Sequence, residues 1–183
     1  MHAIAIMSEV AAGLSPTTLR ALQPANRILL SVASQTRSID LLQAQKVRSL
    51  QMQHLAHLFA TYPDLILLTP TTPNAGWSFS EDKGDLKYGV SDGNMQIRNM
   101  EFAFLANFTG CPALSAPVGF LDPVAGEGKV PVGLMGMGEW GAEDGLLGLG
   151  YDVEGWLDEG LEGGRVSAGG WVDVLGTAGQ GRR

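Results

Sequence analysis

The chain has 183 residues, enough for one globular domain, and 45% of them are hydrophobic. Only 17% are charged, which excludes a wholly disordered chain. The net charge of −7 is unevenly spread, because residues 1–62 carry five basic and two acidic side chains, whereas residues 122–183 carry four and eleven. No basic stripe is present to meet a phosphate backbone, so we predict no nucleic-acid partner.

Cysteine content and hydropathy bear on the compartment. The one cysteine, Cys111, excludes an internal disulfide and is typical of a reducing environment. Residues 1–16 have an apolar centre without the basic flank of a signal peptide. No run approaches the roughly 20 apolar residues that cross a membrane. We therefore predict a soluble, cytoplasmic protein with no membrane span.

The first third of the sequence is predicted to be helical. A short helix covers residues 1–12, and Ser15-Pro16 begins the next, since Ser caps a helix and Pro is tolerated in its first turn. Pro24 breaks that helix before a further helical stretch over residues 25–33.

The longest predicted helix covers residues 38–62. Ser38 is its expected cap, Asp40 complements the helix dipole, and Pro63 ends it. Apolar residues recur at spacings of three and four, interrupted by Lys46, which predicts one buried stripe. The stripe comprises Ile39, Leu42, Leu50, Leu55, Leu58, Phe59 and Tyr62.

Three apolar runs beyond this helix are predicted to be strands covered on both faces, at residues 65–69, 113–120 and 130–137. A helix over residues 92–107 joins the first two runs, and another helix follows the third. This order is typical of a layered α/β architecture. From Gly155 onward Gly and acidic residues dominate, so we expect residues 159–183 to form an irregular tail.

Two glycine motifs match known functional patterns. Residues 89–93 (GVSDG) fit the G-x-S-x-G nucleophile elbow, but a charged segment precedes them where a buried strand is needed, and Asp92 fits better as a helix cap. Residues 136–141 (GMGEWG) fit a dinucleotide-binding turn, although Glu139 would repel a pyrophosphate. A small nucleotide-binding protein therefore stays open as an alternative, as does a noncatalytic interaction module.

Histidine and cysteine give no catalytic or metal centre. His54 and His57 lie one helical turn apart, but no third ligand can be named, so we predict no metal site and no cofactor. Cys111 lies between Gly110 and Pro112 and before an apolar run. It is expected to be a small buried hydrophobe.

Three segments in this order resemble the C-terminal region of amidase-signature enzymes. They are YPDLILLTPTTPNAG at residues 62–76, NFTGCPALSAPVGF at residues 107–120, and VPVGLMGMG at residues 130–138. The resemblance implies an α/β fold with a mixed β-sheet covered by helices. Residues 1–158 would form the C-terminal part of that fold, which would be incomplete.

The resemblance also implies hydrolysis of carboxylic amide C–N bonds by a Ser–Ser–Lys arrangement in an earlier region of the family's sequence. No Gly-Gly-Ser-Ser stretch occurs here. The four lysines (Lys46, Lys83, Lys87 and Lys129) lie in segments unlike the family's lysine context. We therefore assign no catalytic residue and expect a fragment or degenerate form that is inactive alone.

The resemblance implies that this chain could still contribute residues that line the substrate pocket. Thr71, Asn74 and Trp77 follow the first predicted strand, where ligands of α/β sheets bind, and are expected to contact a small-molecule amide substrate. Asn107 and Thr109 are further candidates. Ordinary loop capping is the alternative role for each of the five.

Overall fold

A computed structural model describes residues 1–76, 84–89, 92–123 and 128–160. Helices and strands follow the predicted order. They are α1 (His2–Gly13), α2 (Pro16–Ala21), α3 (Pro24–Ala33), α4 (Ser38–Thr61), β1 (Leu67–Pro70), α5 (Asp85–Tyr88), α6 (Gly93–Thr109), β2 (Ala113–Leu121), β3 (Val130–Met137) and α7 (Glu143–Gly160).

Local capping explains where several helices begin and end. The Ser15 hydroxyl accepts the Thr18 N–H at 3.1 Å, and the Asp92 carboxylate accepts the Met95 N–H at 3.0 Å, so both predicted caps are confirmed. Gly110 ends α6 with φ 78°, the left-handed conformation that glycine adopts without strain.

The predicted cap of α4 was wrong. Arg37, not Ser38, is the residue before the helix, and its side chain makes no capping bond. It instead forms a two-bond ion pair with Asp40, with its Nε and Nη2 at 2.8 and 2.9 Å from the two carboxylate oxygens. Asp40 therefore occupies the first turn as predicted, but stabilises it by reaching back to Arg37.

The sheet has the strand order β1-β3-β2, and β3 is antiparallel to both neighbours. Thr69 and Ser115 lie opposite Met135 from its two sides. The predicted mixed sheet is thus corrected to an antiparallel one over the described residues. Only residues 122–129 join β2 to β3, and so short a connection suits an antiparallel pair but not a parallel crossover.

Helix α7 covers one face of the sheet. A Cβ at Gly136 would lie 2.5 Å from Leu149 Cδ2, and a Cβ at Gly150 would lie 3.1 Å from Leu114 Cδ2. Glycine on each element therefore permits the close approach of strand and helix.

Helices α4 and α6 supply the core on the other face. Leu55 and Phe59 of α4 and Ala106 of α6 pack against Cys111 and Met137. The predicted role of Cys111 as a buried hydrophobe is confirmed.

The apolar stripe predicted on α4 is confirmed as buried only at Leu55 and Phe59, and Tyr62 at its C-terminal end is 57% exposed. Leu55 and Phe59 are buried, whereas Ile39, Leu42 and Leu50 are 52%, 58% and 66% exposed. Packing decides this difference: α4 contacts α1 and α6, and within the described part of the chain no element covers its outer face.

Helix α7 extends to Gly160, through the Gly- and acid-rich stretch that begins at Gly155 and into the first two residues of the predicted tail. Glycine lowers helix propensity, but burial of Leu146 and Leu157 against the rest of the fold outweighs it. The remainder of the predicted tail, residues 161–183, lies outside the described residues. No helix in the described ranges is both long and apolar enough to cross a bilayer.

Candidate pocket wall

A side-chain hydrogen bond at the sheet joins Thr71 and Ser115. Their hydroxyl oxygens are 2.5 Å apart, and the Thr71 N–H donates to the Gly133 carbonyl at 2.9 Å. Thr71 directly follows β1, Ser115 is in β2, and Gly133 is in β3 between them. Three segments distant in sequence therefore meet at one place.

Gly133 makes this meeting possible. A Cβ built on it would lie 2.4 Å from Thr71 Oγ1 and 2.9 Å from Ser115 Oγ. Both distances are well inside van der Waals contact, so the two hydroxyls occupy the volume that any other residue would fill.

A third hydroxyl lies on the same face of the sheet. Thr69 is two residues before Thr71, and residues two apart along a strand project to the same side. Thr69 Oγ1 is buried and has no hydrogen-bond partner among the described residues. We call Thr69, Thr71 and Ser115 the hydroxyl cluster. It offers one unsatisfied group beside two that bond to each other.

Asn74 closes the loop beside this cluster. Its Oδ1 accepts the Gly76 N–H at 3.0 Å, its backbone carbonyl accepts the Thr72 hydroxyl at 2.6 Å, and its Nδ2 donates to Asn99 Oδ1 at 2.6 Å. The loop after β1 is thus tied to α6. This geometry is the loop-capping role that the sequence left open for Asn74, and it ties residues 72–76 to α6.

Asn107 and Thr109 lie apart from the hydroxyl cluster. Both are on the last turn of α6, which leads to the Cys111–Met137 end of the sheet, whereas Thr71 pairs near Gly133. Asn107 is exposed. Trp77, the remaining predicted pocket residue, lies outside the described residues.

Thr109 has a structural role. It is 1% exposed, its hydroxyl donates to the Leu105 carbonyl at 2.7 Å, and its own carbonyl accepts the Trp140 Nε1–H at 3.1 Å. Its side chain is almost wholly buried, and a substrate contact by Thr109 stays a prediction. Ser115, by contrast, was missed by the sequence analysis, and its only signal was a hydroxyl within an otherwise apolar strand.

Potential nucleophiles and bases are poorly placed for catalysis. Burial raises the pKa of the Cys111 thiol, which keeps it protonated and unreactive at neutral pH. His54 and His57 are exposed on α4. Among the described residues, no group of three or more His, Cys, Asp or Glu is arranged to hold a metal ion.

The glycines of residues 136–141 are explained by packing. The space beside Gly136 is filled by Leu149, and the space beside Gly138 by Ala142 at 3.3 Å. Helix α7 also carries Glu143 and Asp144 in its first turn, which would repel a phosphate. The strand before this turn is antiparallel to both neighbours, unlike the parallel unit of dinucleotide-binding folds. This geometry disfavours the nucleotide-binding alternative.

Layered helices over this sheet, together with the three sequence segments, define the class of protein. The family model described as Amidase matches residues 4–147, and the chain belongs to that family.

Among its relatives are the A subunits of glutamyl-tRNA(Gln) amidotransferases. The chain is 37% identical to that of Parvibaculum lavamentivorans over 113 residues, which cover 62% of this chain and 20% of the relative. It is 33% identical to the Pseudomonas aeruginosa counterpart over 113 residues, again 62% of this chain and 20% of the relative. It is 37% identical to the Thermus thermophilus counterpart over 82 residues, which cover 45% of this chain and 14% of that relative. The matched region is about a fifth of the length of the first two relatives.

Proposed function

We propose that this chain supplies part of the sheet and one wall of the substrate pocket of an amidase that hydrolyses carboxylic amide C–N bonds. The nucleophile and its base would come from the part of the amidase fold that this sequence does not contain. The observation that carries the proposal is the hydroxyl cluster beside the loop after β1, in a member of the amidase family.

Hydroxyl groups suit an amide ligand. A carboxylic amide presents a carbonyl acceptor and N–H donors, and a hydroxyl can donate and accept at once. Thr69 Oγ1 is the hydroxyl of the cluster without a partner among the described residues, and a buried polar group left unpaired costs about 1–3 kcal/mol. Hydrogen bonding to an amide would recover that free energy, while the Thr71–Ser115 bond and the Asn74 loop would hold the wall rigid.

The placement of the lysines supports an inactive isolated chain. Lys129 Nζ is 2.5 Å from the Asp122 carboxylate, and Lys87 Nζ lies 5.0 Å from the centroid of the Tyr88 ring. Both lysines are exposed, and each has the partner just named. In the Ser–Ser–Lys chemistry of the family, a lysine must instead reach a serine directly.

Exposed apolar surface supports the proposal that further parts of an amidase fold pack here. Ile28 and Val32 of α3 are 66% and 68% exposed, and β1 and β2 each pair on one side only within the described sheet. Unpaired strand edges and contiguous apolar patches invite association. We propose a cytoplasmic location on the basis of the relatives' role with tRNA, which their names state.

A chimeric enzyme tests this function. The 113-residue match in the Parvibaculum relative would be replaced by the corresponding residues of this chain, and amide hydrolysis would be followed by ammonia release. We expect the chimera to hydrolyse amides and the 183-residue chain alone to release none. Hydrolysis by the chain alone would contradict the proposal that the nucleophile and its base come from another part of the amidase fold.

Variants of the chimera test the pocket wall. Thr69→Val removes the unpaired hydroxyl at nearly constant shape, and we expect KM to rise severalfold. Thr61→Val in α4 is the matched control, since Thr61 is exposed and its hydroxyl donates to the His57 carbonyl of the same helix. Equal kinetics for both variants in a folded chimera would remove Thr69 from the pocket.

A further inference from the structure

A groove runs along one face of α4 and ends at Trp140. Its α4 residues recur at spacings of three and four, which places them on one helical stripe. It is an open, shallow depression with a volume of about 670 Å³. We call it the α4 groove; its main lining residues are Gln45, Arg48, Ser49, Met52, Gln53 and Trp140.

Trp140 forms a fixed aromatic end wall of the groove. Its Nε1–H donates to the Thr109 carbonyl at 3.1 Å, and its ring meets Phe59 edge to face with centroids 6.3 Å apart. These two contacts hold the orientation of the indole. An apolar ligand would therefore find a preformed surface.

Arg48 is the one cation among these lining residues. Its Nε is buried and has no hydrogen-bond partner in the described part of the chain. The two ion pairs found among the described residues join Arg37 to Asp40 and Lys129 to Asp122, so neither satisfies Arg48. Nε itself is shielded from solvent, so an anion entering the groove would meet the terminal nitrogens of the guanidinium.

The shape and charge of the groove select a class of anion. A guanidinium presents its donors in a planar fork that matches a carboxylate. One cation suits a singly charged ligand, and the apolar surfaces of Met52 and Trp140 suit a hydrophobic body. Gln45 and Gln53 also line the groove, and the Gln53 amide nitrogen donates to the Ser49 hydroxyl at 3.1 Å.

We propose that the α4 groove binds a small monocarboxylate with an aromatic or aliphatic body. The carboxylate would accept hydrogen bonds from Arg48, and the body would pack on Met52 and Trp140. This site is separate from the hydroxyl cluster, so its test does not depend on amide hydrolysis.

The first experiment titrates the full chain with three probes by isothermal titration calorimetry. The probes are 3-phenylpropionate, its neutral counterpart 3-phenylpropanol, and acetate, which lacks the apolar body. We expect saturable binding of 3-phenylpropionate at one site, weakened by added salt, and at least tenfold weaker binding of the other two. Failure of 3-phenylpropionate to bind at millimolar concentration overturns the proposal, as does equal affinity for its neutral counterpart. Equal affinity for acetate overturns the role of the apolar body.

The second experiment compares Arg48→Met with Arg20→Met, since Arg20 is exposed on α2 and does not line the groove. Both variants lose one positive charge. We expect Arg48→Met to weaken 3-phenylpropionate binding at least tenfold and Arg20→Met to leave it unchanged. Equal weakening would assign the effect to overall charge and overturn the site. If Arg48→Met fails to fold by circular dichroism, Arg48→Lys takes its place, and we expect severalfold weaker binding because the planar fork is lost.

Discussion

The hydroxyl oxygens of Thr71 and Ser115 lie 2.5 Å apart although the two residues are 44 positions apart in the sequence. They meet across Gly133, whose missing side chain leaves the space that both hydroxyls use. This contact joins the loop after β1 to β2 over the central strand. It is therefore both a structural link and the centre of the proposed pocket wall.

Gly133→Ala should destabilise the fold. Its Cβ would lie 2.4 Å from Thr71 Oγ1, and such overpacking typically lowers the free energy of unfolding by about 1–3 kcal/mol. Gly148→Ala on α7 is the matched control, because open space surrounds Gly148. There we expect stabilisation of about 0.5–1 kcal/mol from helix propensity. Urea denaturation measures both.

A double variant isolates the cause of that loss. Thr71→Ala removes the oxygen that Gly133→Ala would strike, so the Gly133 substitution should cost less in the Thr71→Ala background. An unchanged cost would mean that the contacts left in the Thr71→Ala background, with Ser115 Oγ and residue 71 Cβ at 2.9 Å, cause the strain.

Trp140→Phe tests the link between α6 and the turn before α7. Phenylalanine keeps an aromatic ring near Phe59 but loses the 3.1 Å bond to the Thr109 carbonyl. We expect a loss of about 1 kcal/mol in the free energy of unfolding, the usual net value of one hydrogen bond. Trp156→Phe is a control, since Trp156 is 57% exposed on α7. A larger loss in the control than at Trp140 would contradict this assignment.

His2 should make stability depend on pH. Burial lowers its pKa below the ordinary value of 6.5, and the positive Met1 amino group lowers it further. Its ring lies edge-on to Phe104 and Phe108, with centroids 6.2 and 5.9 Å away. Below about pH 6.5 the unfolded chain therefore binds the proton more readily than the folded chain, so stability falls as pH falls.

Denaturant unfolding at about pH 7.5 and about pH 5.5, on either side of the ordinary histidine pKa, measures this effect. His2→Leu should reduce the fall in stability between the two conditions. His57→Leu, on the exposed side of α4, is the matched control variant. The same pH dependence in wild type and His2→Leu would show that another group causes it.

Cys111 should resist alkylation in the folded protein. It is 6% exposed, and burial raises its thiol pKa, so both access and the thiolate fraction are low. Because it is the one cysteine of the chain, iodoacetamide labelling followed by mass spectrometry reports on it alone. We expect fast labelling in denaturant and labelling at least tenfold slower without it. Fast labelling of the folded chain would mean that the Cys111 core opens readily.

Local chemistry in the sequence determined the order of helices and strands. The apolar run at residues 130–137 coincides with β3, and Ser15 and Asp92 cap the helices that they were expected to cap. These features depend on neighbours within a few residues, which periodicity, proline and capping side chains specify directly. The family resemblance could be recognised for the same reason, because each of its three segments is a continuous stretch of sequence.

Tertiary structure alone decided what each face contacts. The sequence could not distinguish exposed Leu42 from buried Leu55 on one helical stripe, because the difference depends on which element packs there. The sequence also did not predict the hydrogen bond between the Thr109 carbonyl and Trp140, or the contact between Ser115 and Thr71. Such contacts arise from strand register and helix packing between distant segments, and no spacing within either segment encodes them.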